Sequence, residues 1–344
     1  MAKEVRMADI AKQLGVSTVT VSKALSDQKG VSEEMREKIK ALAEELGYKS
    51  AAAAKKEAKR SYNMGVLIEG TYIERYASFY WEFYQKINTS ASKENCFVIL
   101  EVLSVEDEKN LVEPKILQEN KIDGLMILGR VPTEYLAMLQ KKSKVPVVYI
   151  DFYDQKIKGD SVISNSFYGA YSITNYLFEM GHRKIGFVGT IMATESIMDR
   201  YLGYQKAMIE HGEPIQEEWI IQDREKHIYI YEQLPLPKEL PTAFVCNSDL
   251  TASRLIRSLR ECGLQVPDDI SVVGYDDYLY PGLCDVGITT YSVDMERMAK
   301  LGIDILVERI NGSQKQFGMQ VVEGDLVIRE STRRINNERF GNKR

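Results

Sequence analysis

From residue 64 to about residue 330, short apolar runs alternate with amphipathic helical stretches, and this alternation constrains the fold more than any other feature of the chain. Residues 64–68, 97–103, 124–128 and 145–151 read as buried strands, with helical stretches near 80–93, 106–119 and 133–142 between them. A second series follows. Its strands are 184–189, 242–246 and 271–275, and its helices lie near 167–180, 199–211, 249–262 and 294–311. Such alternation predicts parallel sheets covered by helices on both faces. Two series predict two lobes with a cleft, and ligands of open α/β sheets sit beyond the carboxyl ends of the strands.

The first 63 residues differ in kind. They hold 13 Lys and Arg against 9 Asp and Glu, a balance of +4, while the whole chain carries −5, which leaves −9 for the remainder. A basic head on an acidic body points toward nucleic acid as the partner of the head. Within it, Met7, Ile10, Ala11 and Leu14 fall on one face of a short helix. Gly15 stops that helix, and Ser17 is placed to cap the next. Residues 18–26 form a second short helix, with Val21, Ala24 and Leu25 toward a core and Thr18, Val19, Ser22 and Lys23 outward. Ser32 starts a third that runs to about Leu46. Two short helices joined at a tight turn and braced by a third form a helix-turn-helix, whose second helix fits the major groove of DNA.

The wording of this segment is specific. Asp9-Ile10-Ala11, Gly15-Val16-Ser17, Thr20-Val21-Ser22-Lys23-Ala24-Leu25, Val31-Ser32, Arg36-Glu37-Lys38-Ile39 and Leu46-Gly47-Tyr48 closely resemble the head of the lactose-repressor (LacI/GalR) family. The resemblance continues through Ile122-Asp123-Gly124, Gly181-His182-Arg183, Val266-Pro267-Asp268-Asp269, Gly274-Tyr275-Asp276-Asp277 and Leu326-Val327-Ile328-Arg329-Glu330-Ser331. It implies a periplasmic-binding-protein-like body behind the DNA-binding head. The expected organisation is a head over 1–49, a hinge over 50–63, a first lobe from 64–163 plus 291–321, a second from 164–290 plus 322–332, and a polar tail over 333–344. It further implies a homodimer on a roughly palindromic double-stranded operator, with a small-molecule effector controlling operator affinity.

The resemblance assigns base reading to Thr18, Val19 and Lys23, and phosphate contacts to Ser17, Ser22 and Ser32. Val19 offers methyl contacts suited to thymine, and Lys23 gives a point charge where relatives carry Arg. Arg6 stands at the first helix cap in place of a small hydroxyl residue. The hinge departs from the pattern. No Leu occurs between Gly47 and Leu67, so the wedge that kinks the duplex is missing. Ala53, Ala54 and Lys55 are candidates for the minor groove, the alternative being a charged linker that touches no base.

For the cleft, the resemblance points to Arg200, whose fork suits paired oxygens, and to Asp276 at a strand end. Ser248 and Asp249 end another strand, with Ser248 where relatives have Asn. Phe79 and Tyr80 supply aromatic faces after the first strand. Glu69 ends that strand, and Trp219 lies in a variable loop. A neutral sugar is the expected effector, because planar polar groups and aromatic faces suit a polyol and the cleft offers few cations for a phosphate. A purine or a protein co-regulator is the alternative. A sugar-binding protein or a sugar-metabolising enzyme without DNA function is the alternative of another class. His182 and Asp123 read as structural.

The chain shows no metal-ligand spacing, P-loop, dinucleotide fingerprint or nucleophile elbow, so neither an enzyme nor a cofactor is expected. Cys96, Cys246, Cys262 and Cys284 are far apart and read as free thiols. No apolar stretch approaches membrane-spanning length and no leader is visible, so no membrane partner and a cytoplasmic location are expected.

Overall fold

The computed structural model describes residues 6–26, 28–46, 48, 61–73, 78–225, 229–280 and 282–335. The hinge candidates Ala53, Ala54 and Lys55 lie outside the described residues. The chain divides into two compact units at the Ser61–Tyr62 boundary.

The head is a three-helix unit: α1 (Met7–Leu14), α2 (Thr18–Leu25) and α3 (Glu33–Glu45). Its core is Ile10, Ala11, Val21, Ala24, Ile39 and Ala43. Gly15 closes α1 at φ 65°, a left-handed conformation that glycine adopts without a Cβ penalty. Arg6 at the α1 cap is compensated by Asp9, whose carboxylate reaches back to accept the Arg6 amide at 2.8 Å. Ser17 caps α2 by accepting the Thr20 amide at 3.1 Å. Arg36 fixes α2 against α3. Its buried guanidinium donates to the carbonyls of Ala24 at 3.3 Å and Gln28 at 2.9 Å, satisfying groups that the end of α2 leaves open.

The body holds two six-stranded sheets. In the first, β1 (Tyr62–Glu69), β2 (Cys96–Leu103), β3 (Gly124–Leu128), β4 (Val147–Ile150), β5 (Asp160–Ser164) and β13 (Met319–Val322) lie all parallel in the order β13-β5-β4-β3-β1-β2. The second contains β6 (Ile185–Val188), β7 (Ile220–Ile221), β10 (Ala243–Cys246), β11 (Ser271–Asp276), β12 (Thr289–Ser292) and β14 (Leu326–Val327) in the order β14-β12-β11-β10-β6-β7. Only β14 runs antiparallel within it. A short hairpin, β8 (Arg224–Glu225) with β9 (Tyr229–Ile230), follows β7. The chain passes between lobes three times: after β5, after β12, and again between β13 and β14.

Two stretches depart from the sequence pattern. The helix expected near 106–119 is two short helices, Val105–Lys109 and Lys115–Gln118. Leu111 at φ 54° and Pro114 break it, since proline disfavours helix in the residue before it. The helix expected near 199–211 starts earlier, at Glu195, because Thr194 caps it by accepting the Ile197 amide. That earlier start brings Glu195 onto the helix that carries Asp199 and Arg200.

This helix is pressed closely onto Ser166–Glu179. A Cβ at Gly203 would come within 2.1 Å of the Phe167 carbonyl oxygen, so only glycine permits the approach. Gly203→Ala should therefore shift the helix bearing Arg200 and cost roughly 1–3 kcal/mol, the range for overpacking. Thermal unfolding of the variant checks this.

His182 and Asp123 are structural. The buried imidazole joins the Thr242 hydroxyl at 3.0 Å to the Arg333 carbonyl at 3.2 Å, and burial lowers its pKa to about 4. Asp123 accepts the Asn63 amide at 2.8 Å.

Candidate functional site

On the head, α2 turns Val21 and Ala24 inward and leaves Thr18, Val19, Ser22 and Lys23 exposed along one stripe. Val19 is 61% exposed, so its methyl groups are open to a partner. Ser17 and Ser32 are exposed as well. The Ser17 hydroxyl also lies 2.9 Å from that of Thr20, which stiffens the start of the helix. The first turn of α2 thus presents methyl and hydroxyl groups on a rigid frame, the arrangement that a groove-reading helix requires.

On the body, the carboxyl ends of the strands converge on a cluster. Arg200 is buried at 6% exposure. It pairs with Asp276 at 3.2 Å, donates to the Asn247 carbonyl and to Ser166 Oγ at 3.4 Å, and lies 3.7 Å over the Tyr275 ring. From the other lobe, Asp151 accepts the Tyr80 hydroxyl at 2.9 Å. Asp151, Asp276 and Asp277 are held at φ 66°, 105° and 55°. Non-glycine residues in that region are strained, and such strain gathers at ligand sites. Burial pushes Asp276 up to about 7 against the pull of Arg200, and Asp151 up to about 6. Both groups therefore exchange protons near neutrality, as functional carboxylates often do.

Aromatic rings wall the cleft. Tyr72 and Tyr80 lie 4.6 Å apart, and Phe79 meets Tyr80 edge-on at 5.2 Å. Phe79 also reaches Tyr278 of the other lobe at 6.4 Å. A second bridge between lobes joins Arg130 Nε to Glu195 at 3.2 Å. The lobes are closed on each other.

The structure brings Arg200, Asp276, Tyr80 and Phe79 together. Four other predicted residues make local contacts. The Ser248 hydroxyl caps the helix Asp249–Glu261 through the Thr251 amide, 3.2 Å away. Asp249 is buried against Gly274 and accepts the Tyr278 amide at 2.8 Å. The Glu69 carboxylate caps the following turn at Thr71. Trp219 is buried, with its indole donating to the Glu239 carbonyl at 2.9 Å. Ser248, Glu69 and Trp219 are used up by local structure, whereas one oxygen of Asp249 is buried without a hydrogen-bond partner.

Sequence reasoning passed over Asp151 and Asp223. Asp223 is fully buried and takes bonds from the Thr190 amide, Arg224, Asn247 and Thr251. Burial alone would raise it, but Arg224 and these hydrogen bonds hold it down to about 2. It ties together the ends of three consecutive chain segments at the rim of the second lobe. Among the described residues no cluster of His, Cys, Asp or Glu could hold a metal ion, and no helix is long and apolar enough to cross a membrane.

A groove-reading helix and a closed strand-end cleft in one chain define a class: a DNA-binding regulator with a small-molecule site. Comparison with known proteins makes the class particular. Residues 6–50 match the model of bacterial regulatory proteins of the lacI family, and residues 174–332 match the periplasmic binding protein-like domain. The HTH-type transcriptional repressor PurR of Pectobacterium carotovorum subsp. carotovorum is 30% identical over 328 residues, covering 94% of this chain and 95% of that protein. Among solved structures, the lac repressor dimer bound to operator and the anti-inducer ONPF superposes with a TM-score of 0.64 at 24% identity, over 96% of this chain and all of the other. A CelR–cellobiose complex gives 0.67 at 22% identity, over 95% and 100%. The chain belongs to the lacI family of bacterial regulatory proteins. It is a DNA-binding transcriptional repressor with a small-molecule effector, and not an enzyme.

Proposed function

We propose that this repressor answers to a sugar held between the lobes of its body, and that sugar binding releases the operator. The observation that carries this reading is the Arg200–Asp276 pair stacked on Tyr275 and facing Asp151 and Tyr80. A guanidinium fork and two carboxylates offer donors and acceptors for hydroxyl groups, and the rings of Tyr72, Phe79 and Tyr80 offer faces for C–H groups. A phosphate ester fits poorly, since the carboxylates would repel it. A similar fold occurs in the CelR–cellobiose complex, which supports a sugar as the ligand class.

Arg200 and Asp276 orient the ligand, and Tyr80 sets Asp151 toward it. Effector binding changes the balance between lobe arrangements, and a ligand shifts an equilibrium only by its differential affinity for the two states. Coupling of this kind is typically worth about 1–3 kcal/mol, roughly 5–150-fold in operator affinity. A thermal-shift screen against mono- and oligosaccharides and purines tests the reading. A sugar that raises the melting temperature and lowers operator affinity supports it; stabilisation by purines alone would overturn it.

At the operator, two copies of the head read the two halves of a roughly palindromic site in the cytoplasm. Thr18 and Val19 meet base edges and Lys23 adds a point-charge contact. Ser17, Ser22 and Ser32 meet phosphates. Thr18→Ala and Val19→Ala should each reduce discrimination against a substituted operator by about 1–3 kcal/mol while leaving non-specific binding in place. Competition binding with single-base operator variants measures this. A uniform loss on all sequences would show that these residues position the head without reading bases.

A further inference from the structure

The cleft has more negative charge than its own cations balance. Where the lobes meet, a cavity of about 10 Å³ is lined by Asp151, Glu195 and Asp199, with Ser164, Ser166 and Ser196 beside them. No lysine or arginine lines it. The nearest guanidiniums are committed elsewhere. Arg200 is spent on Asp276, the Asn247 carbonyl and Ser166. Arg130 holds one oxygen of Glu195, and the other oxygen of Glu195 is buried without a hydrogen-bond partner. Asp151 has the Tyr80 hydroxyl but no cation within ion-pair distance among the described residues. Asp199, half-buried one residue before Arg200, takes part in no hydrogen bond or ion pair among the described residues.

A buried carboxylate oxygen without a partner, as in Glu195, is costly, and a protein keeps it where something else supplies the charge. We propose that the effector is an amine-bearing polyol, of the amino-sugar class, whose ammonium group sits among Asp151, Glu195 and Asp199 while its hydroxyls meet Arg200 and Asp276. The inference rests on the sugar reading above and narrows it. An ammonium group supplies three donors, which matches three carboxylates and leaves the serine hydroxyls for the ring oxygens. Burial raises Asp199 and Asp151, and a bound cation would draw both back toward the ionised form. The lobes, closed here, must part to admit the ligand and then shut over it.

The test uses the purified full chain and matched sets of probes. Glucose, galactose and mannose are each compared with the corresponding amino sugar and its N-acetyl derivative, with adenine and guanine alongside, by thermal shift and then calorimetric titration. The expected result is an amino sugar that binds at least about tenfold tighter than both its neutral parent and its N-acetyl form, the size of one charge-assisted hydrogen bond. Asp199→Asn should remove most of that preference while leaving the melting temperature of the free protein near wild type. Glu195→Gln provides a second variant on the same group. A neutral sugar bound as tightly as its amine, or a preference that survives both variants, overturns the inference and leaves the sugar reading standing. Stabilisation by purines alone overturns both, and a protein stabilised by none of the amines overturns the inference.

Discussion

Replacing Arg200 with alanine abolishes the effector response and leaves operator binding intact. The guanidinium touches Asp276, Asn247, Ser166 and Tyr275, so its removal strands a buried carboxylate and empties the centre of the cleft. Removing one partner of a buried ion pair typically costs about 3–5 kcal/mol. The cost depends on pH with a definite sign. Asp276 already stands near 7 in the folded protein, above its ordinary 3.8, and loss of Arg200 raises it further. The wild type gains on the variant as pH rises through that interval, because only the ionised carboxyl profits from Arg200. The stability deficit of Arg200→Ala should therefore shrink as pH falls from 8 to 5. Melting temperatures of both proteins across that range measure it. A deficit independent of pH would mean that Arg200 acts by packing alone.

Asp223→Ala should be among the most destabilising single changes in the second lobe. The carboxylate is fully buried and satisfies groups on Thr190, Arg224, Asn247 and Thr251 at once. Without it these donors lose their acceptor, and Arg224 loses its counter-charge. A loss of about 3–5 kcal/mol follows, which for a body of this size lowers the melting temperature by roughly 10 °C. Because the folded pKa is depressed to about 2, this contribution is complete above the ordinary value of 3.8 and is lost as pH falls through 2. Asp223→Asn should recover part of the loss, since the amide keeps one acceptor. A melting temperature within about 2 °C of wild type for the alanine variant would contradict this assignment.

The elements that were legible in the sequence are those whose burial is uniform. β3 is an unbroken apolar run with every residue buried, and β10 and β11 read the same way. The β13–β5 end of the first sheet was not legible. β13 leaves Met319 and Val321 exposed, and β5 begins and ends in Asp160, Ser161 and Ser164, so neither reads as a buried apolar run. Their pairing is fixed by backbone hydrogen bonds to the neighbouring strand, which leave no mark on residue type.

The site divides along similar lines. Arg200 and Asp276 were found through resemblance, and the head through both periodicity and resemblance. Asp151 was visible as the end of a strand, but the φ of 66° that aims it at Tyr80 is a tertiary fact. Asp223 sits between two strands of two residues each, too short for any period to register. Trp219 stands out as an aromatic in a loop, and its burial and the indole bond to the Glu239 carbonyl hold it in place. Ser248 and Asp249 carry both meanings, because a strand-end polar residue that begins a helix is as useful for capping as for a ligand.

Linkage offers the most direct test of the central claim, that the cleft ligand and the operator compete through two arrangements of one body. An operator is first enriched from a random duplex pool with the ligand-free protein. Affinity for the stabilising sugar is then measured calorimetrically on the free protein and on the operator complex at one salt concentration. The account predicts that operator weakens sugar binding by the same factor, roughly 5–150-fold, by which sugar weakens operator binding. Equal sugar affinity in the two states would show that cleft and head are uncoupled and would contradict it.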